Sequence, residues 1–227
     1  SVPAKNVIEN ICKQSRLLFR NRVSDGTTII DTIRNTYNNG DVDKLIDSDM
    51  ILKYQFTKTK IEDLCFGGVS VRYGYNYLTK EYDGLSLKRV LEDDVSSFKN
   101  LYSVDNHEDY ILEIDAPYIQ DGSTAKILGN YLYELHKNQH LICKLTLPLK
   151  EGVELEVGDI VRFSKDPHGV KPFGKTVTSS HSIGETGQKA LPYFMVTSAS
   201  KSLTEVSLEL YQLNSCLLYT SDAADDL

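Results

Sequence analysis

The apolar residues change period several times along the chain, and each change marks an element. Over Ala4 to Ser15, Val7, Ile8, Ile11 and Cys12 recur at helical spacing behind Pro3, whose missing N–H costs nothing in a first turn; a short amphipathic helix is expected. Arg16 to Arg22 and Thr27 to Arg34 flank the turn tripeptide Ser24-Asp25-Gly26 and read as a hairpin, after which Asn38-Asn39-Gly40-Asp41 breaks the chain. Asp47 to Phe56 leads through Thr57-Lys58-Thr59-Lys60 into a helical turn at Ile61 to Cys65. From Gly67 to Leu78 the period becomes two. Val69, Val71, Tyr73, Tyr75 and Tyr77 fall on one face and Ser70, Arg72, Gly74 and Asn76 on the other, the clearest strand in the chain.

Thr79 to Asn106 is charged and irregular, with an acidic run at Glu92-Asp93-Asp94, and is expected to be loop with at most one helical turn. Tyr110 to Ile114 alternates again until Asp115-Ala116-Pro117 stops it. Asp121 to Lys137 opens on Asp-Gly-Ser-Thr, good N-capping chemistry, and carries Ala125, Leu128, Leu132 and Leu135 at intervals of three and four, so it is expected to be the principal helix. Leu141 to Leu149 follows as a strand, then a tight turn at Gly158-Asp159 and a strand over Ile160 to Phe163. In that turn Gly158 is free to take φ > 0 and Asp159 can bond the turn backbone. Ser164 to Pro192 has no period and reads as one extended loop, of a length that usually binds something or stays mobile. Two strands, Tyr193 to Ser198 and Glu205 to Leu213, close the chain around Ala199-Ser200-Lys201-Ser202. The pattern is α+β and mostly β, with one long amphipathic helix at about 121–137.

Composition narrows the classes. The 227 residues are 41% hydrophobic and 25% charged, the balance of a globular protein with a sizeable core, and the longest apolar runs are strand-length, far short of the roughly 20 residues of a bilayer crossing. A formal charge of -7 argues against stable nucleic-acid binding, which needs clustered Lys and Arg. Cys12, Cys65, Cys143 and Cys216 are widely separated, without C-x-x-C, and read as reduced and mostly buried. The last stretch, Cys216 to Leu227 (CLLYTSDAADDL), resembles the in-frame translation of a transposase-based sequencing adapter. Setting aside its Asp222, Asp225 and Asp226 takes the net charge from -7 to -4. With a start at Ser-Val-Pro-Ala-Lys, both ends read as cuts in a longer chain of metagenomic origin.

Candidate chemistry is sparse. His136 and His140 have the four-residue spacing of a helical metal pair, but Lys137 follows where a zincin needs Glu, and exposed polar residues at a helix exit are the simpler expectation. Asp41, Asp43, Asp47 and Asp49 lack the loop order of an EF-hand and read as solvated acids. Ser179-Ser180-His181-Ser182 has no nucleophile-elbow frame, and no G-x-G-x-x-G or P-loop occurs. No catalytic residue, metal ligand or cofactor is expected. Tyr73, Tyr75, Tyr77 and Tyr82 form either a stacking surface or a packed strand face, and the chain has no Trp, the strongest carbohydrate platform.

The order of segments carries a resemblance. Leu145-Thr146-Leu147-Pro148-Leu149, then Leu155-Glu156-Val157-Gly158-Asp159-Ile160-Val161, then Phe194-Met195-Val196-Thr197-Ser198 and Ser207-Leu208-Glu209-Leu210, all after the 121–137 helix, resemble the tail-tip or baseplate hub structural proteins of tailed bacteriophages. In that family a helix hands over to a small β-barrel with an L-x-x-G-D-I/V-V turn. Ile51 to Asp63 and the tyrosine-rich strand look like the preceding hub segment. The resemblance implies an irregular hub-like region over 1–106, a helix-plus-barrel domain over 107–215 with a boundary near Asn106, and the non-native tail at 216–227. It implies a non-enzymatic virion protein, assembled in the bacterial host cytoplasm, that connects tail tube to host-contacting tip during DNA delivery. Implied partners are the tube, tape-measure and fibre proteins and copies of itself, often as a trimer. The Ser164 to Pro192 loop exceeds what a minimal barrel needs and reads as a partner-contacting insertion; its Lys165, His168, Lys171 and His181, with Tyr73, Tyr75 and Tyr77, are the expected interaction residues. The alternatives are a carbohydrate-binding or tail-borne depolymerase β-domain, and a secretion-system spike relative.

Overall fold

The computed structural model describes residues 4–15, 17–22, 26–34, 36–89 and 92–215. Four α-helices are seen among them: α1 (Ala4–Gln14), α2 (Glu92–Tyr102), α3 (Gly122–His136) and the single turn α4 (Leu149–Gly152). The strands in chain order are β1 (Leu17–Asn21), β2 (Thr28–Thr32), β3 (Lys44–Ile46), β4 (Lys53–Lys58), β5 (Gly68–Asn76) and β6 (Glu81–Arg89), then β7 (Ile111–Asp115), β8 (Leu141–Pro148), β9 (Ile160–Phe163), β10 (His181–Ser182), β11 (Lys189–Lys201) and β12 (Glu205–Asn214). Pro3, Arg16, the Ser24-Asp25 turn and Cys216 to Leu227 lie outside the described residues, as do the side chains of Glu92 and Asp93.

The main sheet has seven strands. Its order is β3-β9-β11-β12-β8-β4, with β10 added beside β11. All its pairings are antiparallel except the short parallel β3–β9. Alternation sends Cys143, Leu145 and Leu147 of β8 and Val206, Leu208 and Leu210 of β12 into one core, where Phe163 and Phe194 meet edge to face at 5.2 Å. Each such side chain contributes about 1.5–3 kcal/mol by leaving water. The sheet is open, so the expected barrel is not formed. Pro192 lies inside β11, where the register with β12 shifts between Ala190 and Phe194, so the ladder accommodates a residue with no N–H. That irregularity hid the start of β11, expected to be loop as far as Pro192.

A second layer packs α3 on the three-stranded sheet β6-β5-β7. Asp121 caps α3 by accepting from the N–H groups of Ser123 and Thr124 at 2.8 and 3.2 Å. The serine and threonine hydroxyls donate to the same carboxylate, and its pKa is lowered to about 2. Between the layers, Phe66 stacks with Phe98, Tyr102 and Tyr110 at centroid distances of 5.5, 5.4 and 4.4 Å, which fixes α2.

Two expectations change. Thr79 to Asn106 is not loop; it contains β6 and α2. The reason is an inverted strand. Lys88, Ser86 and Gly84 stand opposite Val69, Val71 and Tyr73 on the face that α3 covers, whereas Leu85 and Leu87 face outward at 61% and 41% exposure. The boundary expected near Asn106 is crossed by three strand pairings, β3 with β9, β4 with β8 and β5 with β7, because both sheets are completed by strands from each side of it. Cys12, Cys65 and Cys143 are free and buried, and burial pushes the Cys65 and Cys143 thiols up to about 12. No helix of the described residues is long and apolar enough to cross a membrane.

Candidate functional site

A trough crosses one end of the main sheet. Its floor runs from Lys58 on β4 to its partner Leu141 on β8, then Gln212 on β12, and on to Ala190 on β11 with its partner His181 on β10. Leu101 and Tyr102 of α2 form one wall. The other is the Pro172 to Val177 part of the long loop, and the trough's volume is about 250 Å3.

Local chemistry sets the loop wall. Val177 is an apolar anchor buried in the main core, and Asp166 accepts from the Val177 N–H and the Thr176 hydroxyl, both at 2.8 Å, which closes the 166–177 part of the loop on itself. Between them Pro172 starts a tight turn in which Phe173 takes φ 50, an uncommon conformation for an aromatic residue, and presents its ring at 59% exposure. The Lys58 ammonium sits 4.8 Å from the centroid of that ring. Lys175 adds a second ammonium and His181 an imidazole, and among the described residues no Asp or Glu lines the trough. Burial first, then the fields of Lys175 and Lys58, push the His181 pKa down, against a hydrogen bond with the Ser179 backbone.

Beneath the trough lies a buried polar network. The Tyr102 hydroxyl donates to Asn138 Oδ1 at 2.8 Å and accepts from the Gln139 N–H at 3.0 Å; the Asn138 amide donates to Thr186 and Gln188. Gln188 in turn donates to the carbonyls of Glu134 and Ser215. His140 is 1% exposed, its Nδ1 2.7 Å from the Gln212 carbonyl and its Nε2 2.6 Å from that of Leu135, with its ring stacked on Tyr211. The expectation of an exposed helix exit therefore fails for this pair. After Asn138 the chain turns beneath the long loop into β8, and enclosure lowers the pKa of His136 to about 4, with His140 adding to the effect. Among the described residues no group of three or more His, Cys, Asp or Glu gathers as a metal site.

The expected interaction residues separate into four places. His181 lines the trough, and Lys171 precedes the Pro172 turn just outside it. Lys165 pairs with Asp49, while His168 stacks on Tyr54 at 5.3 Å with its Nε2 3.2 Å from the Ile51 carbonyl, so both hold the loop base to the 47–54 segment. Asp43 likewise serves the backbone, accepting from the Ile160 N–H at 2.8 Å. Tyr73 is drawn into the α3 core, with its ring over Gly84 and Gly122. Tyr75 packs on Tyr77 and Tyr82 at 5.0 and 4.9 Å, leaving Tyr77 65% exposed, and the Arg72 guanidinium lies over Tyr82.

Gly158 takes φ +95, and its N–H donates to the Val196 carbonyl; the Asp159 carboxylate accepts from the Glu156 N–H at 2.9 Å. Sequence reasoning missed Lys58, Phe173, Lys175 and Leu101. The Pro-Phe-Gly turn is the one local signal that marks this wall.

No family model matches the chain, and no curated protein matches it. Among solved structures, a prophage tail protein from Listeria monocytogenes is 10% identical with a TM-score of 0.45, the match covering 92% of this chain and 52% of that one. A 43 kDa tail protein of a Shewanella oneidensis prophage is 9% identical with a TM-score of 0.44, over 91% of this chain and 53% of that one. A chain from the virion of a native gene transfer agent particle matches with a TM-score of 0.52 and 12% identity, over 92% of this chain. This chain spans 38% of that virion protein's length. Over nearly all of its residues, the chain shares the fold of part of a gene transfer agent virion protein.

Proposed function

We propose that the chain is a non-enzymatic structural protein of a phage-type tail, acting in the tail tip or baseplate hub between the tail tube and the host-contacting tip during DNA delivery. The observation that carries this reading is the fold shared with a gene transfer agent virion protein across 92% of the chain. The use of its polar groups supports it. Asp43, Asp121, Asp159, Asp166 and His140 hold backbone, as parts of a framework do. Its partners are then other tail proteins and further copies of itself in a ring, and its net negative charge suits a conduit that must not retain DNA.

Tagging the chain in its parent phage tests this. Immunogold labelling is expected at the tube-distal end of the tail, and the purified full-length parent is expected as ring-shaped oligomers by electron microscopy. A stable monomer absent from purified virions refutes the reading. A carbohydrate-binding role has one specific observation in its favour, the exposed Tyr75–Tyr77–Tyr82 cluster. It predicts glycan binding that is lost in Tyr75→Ala or Tyr77→Ala.

A further inference from the structure

We propose that the trough beneath the long loop binds an extended acidic segment of a partner protein, seating a carboxylate among Lys58, Lys175 and His181 and a neighbouring apolar side chain against Leu101 and Ile183. The proposal stands on the cleft itself and does not depend on the tail role.

Charge complementarity is the first argument. The chain carries 32 acidic and 25 basic residues, yet this trough is lined by two lysines and two histidines and, among the described residues, by no carboxylate. Two ammonium groups lining one partly enclosed cleft with no carboxylate beside them are unfavourable in the empty protein, and an arriving anion relieves this; His181, held neutral there, offers a ring nitrogen rather than a charge. A carboxylate also receives stronger hydrogen bonds from ammonium groups than a neutral acceptor does.

Shape and lining select a peptide over a free anion or an acidic sugar. The trough crosses the strands from β4 to β10, so it is elongated, and about 250 Å3 accommodates a side chain or two. Leu101, Leu141, Val177 and Ile183 line it with aliphatic surface that an inorganic anion leaves unused. Phe173 is the sole aromatic ring of the loop wall, and Lys58 already lies over one of its faces, which leaves a sugar ring at most the other face to stack on.

The test uses isothermal titration of the full chain with a synthetic decapeptide of alternating Glu and Leu, its twin with Gln in place of Glu, hyaluronate oligosaccharide and inorganic phosphate. The acidic peptide is expected to bind at least about tenfold more tightly than the other three, and added salt to weaken it. Lys58→Ala with Lys175→Ala is expected to cost at least about tenfold in affinity with an unchanged circular dichroism spectrum. Lys58→Glu with Lys175→Glu should transfer preference to a Lys/Leu peptide, which loss of fold cannot produce. The proposal is overturned if the acidic peptide does not bind, if the Gln twin, hyaluronate or phosphate binds as tightly, or if the alanine pair leaves affinity unchanged.

Discussion

Arg20 donates from Nη1 to Asp159 Oδ1 at 3.1 Å, joining the N-terminal hairpin to a turn 139 positions further along the chain. The same nitrogen donates to the Val157 carbonyl at 2.5 Å, and Nε to Asp31 at 2.9 Å, so one guanidinium holds both strands of the hairpin to the turn between α4 and β9. Arg20→Ala should free the hairpin without unfolding the main sheet. Amide hydrogen exchange over 17–32 is expected to accelerate while exchange in β11 and β12 stays as it was. Equal acceleration in both places would contradict this. Gly158→Ala should act more severely, by about 1–3 kcal/mol, because φ +95 disfavours a side chain and the new Cβ would lie 2.7 Å from Leu18.

Gly84 allows Tyr73 its place. A Cβ at residue 84 would stand 2.3 Å from the Tyr73 ring, which itself lies over the first turn of α3. Gly84→Ala should destabilise by about 1–3 kcal/mol through overpacking. In a Tyr73→Ala background the same change should be close to neutral. A double-mutant cycle by chemical denaturation reads the coupling, and an additive result would show that the ring is not the obstacle.

Phe66 is the central ring of the stack that holds α2. Phe66→Ala should cost about 3–5 kcal/mol, with α2 losing exchange protection first, and Phe66→Leu should cost less because it fills more of the space. Equal losses for the two variants would argue against packing as the cause.

His136 makes stability depend on pH in a definite direction. Enclosure, then the neighbouring His140, lower its folded-state pKa from 6.5 to about 4, so the unfolded chain takes up the proton first. Stability associated with the neutral ring is fully present above about pH 6.5 and is lost as pH falls towards about 4. The denaturation midpoint should fall across that window, and fall less in His136→Gln. Parallel pH profiles for the two proteins would remove His136 as the source.

The sequence made β5, β7, α3, β8, β9 and the closing hairpin legible, because in each the apolar period agrees with the buried face; α1 was legible from its period alone, since Ile8 and Ile11 stay 40% and 42% exposed. It failed where the two disagree. Leu85 and Leu87 point outward from β6 while Gly84, Ser86 and Lys88 face the helix, so the strand reads as charged irregular chain. The trough was legible only at His181. Lys58, Phe173 and Leu101 come from three separated segments that the β4–β8 and β10–β11 pairings and the packing of α2 bring together, and no local spacing encodes a meeting of that kind. His140 was misjudged for a related reason, since its enclosure comes from β12, some 70 residues later.

The strand order β3-β9-β11-β12-β8-β4 places β11 and β12, the last two strands among the described residues, in the middle of the main sheet and the earlier β3 and β4 at its edges. During translation β3, β4, β8 and β9 therefore leave the ribosome before the strands that join them exist. β4 and β8 can pair early, but the Ile46 and Val161 side cannot meet the Leu145 and Leu147 side until β11 and β12 have emerged. The nascent chain must carry unpaired edges until β11 and β12 have both emerged. A ribosome-stalled chain ending at residue 188 should stay protease-sensitive throughout the main sheet, and release of the next 26 residues should convert it in one step.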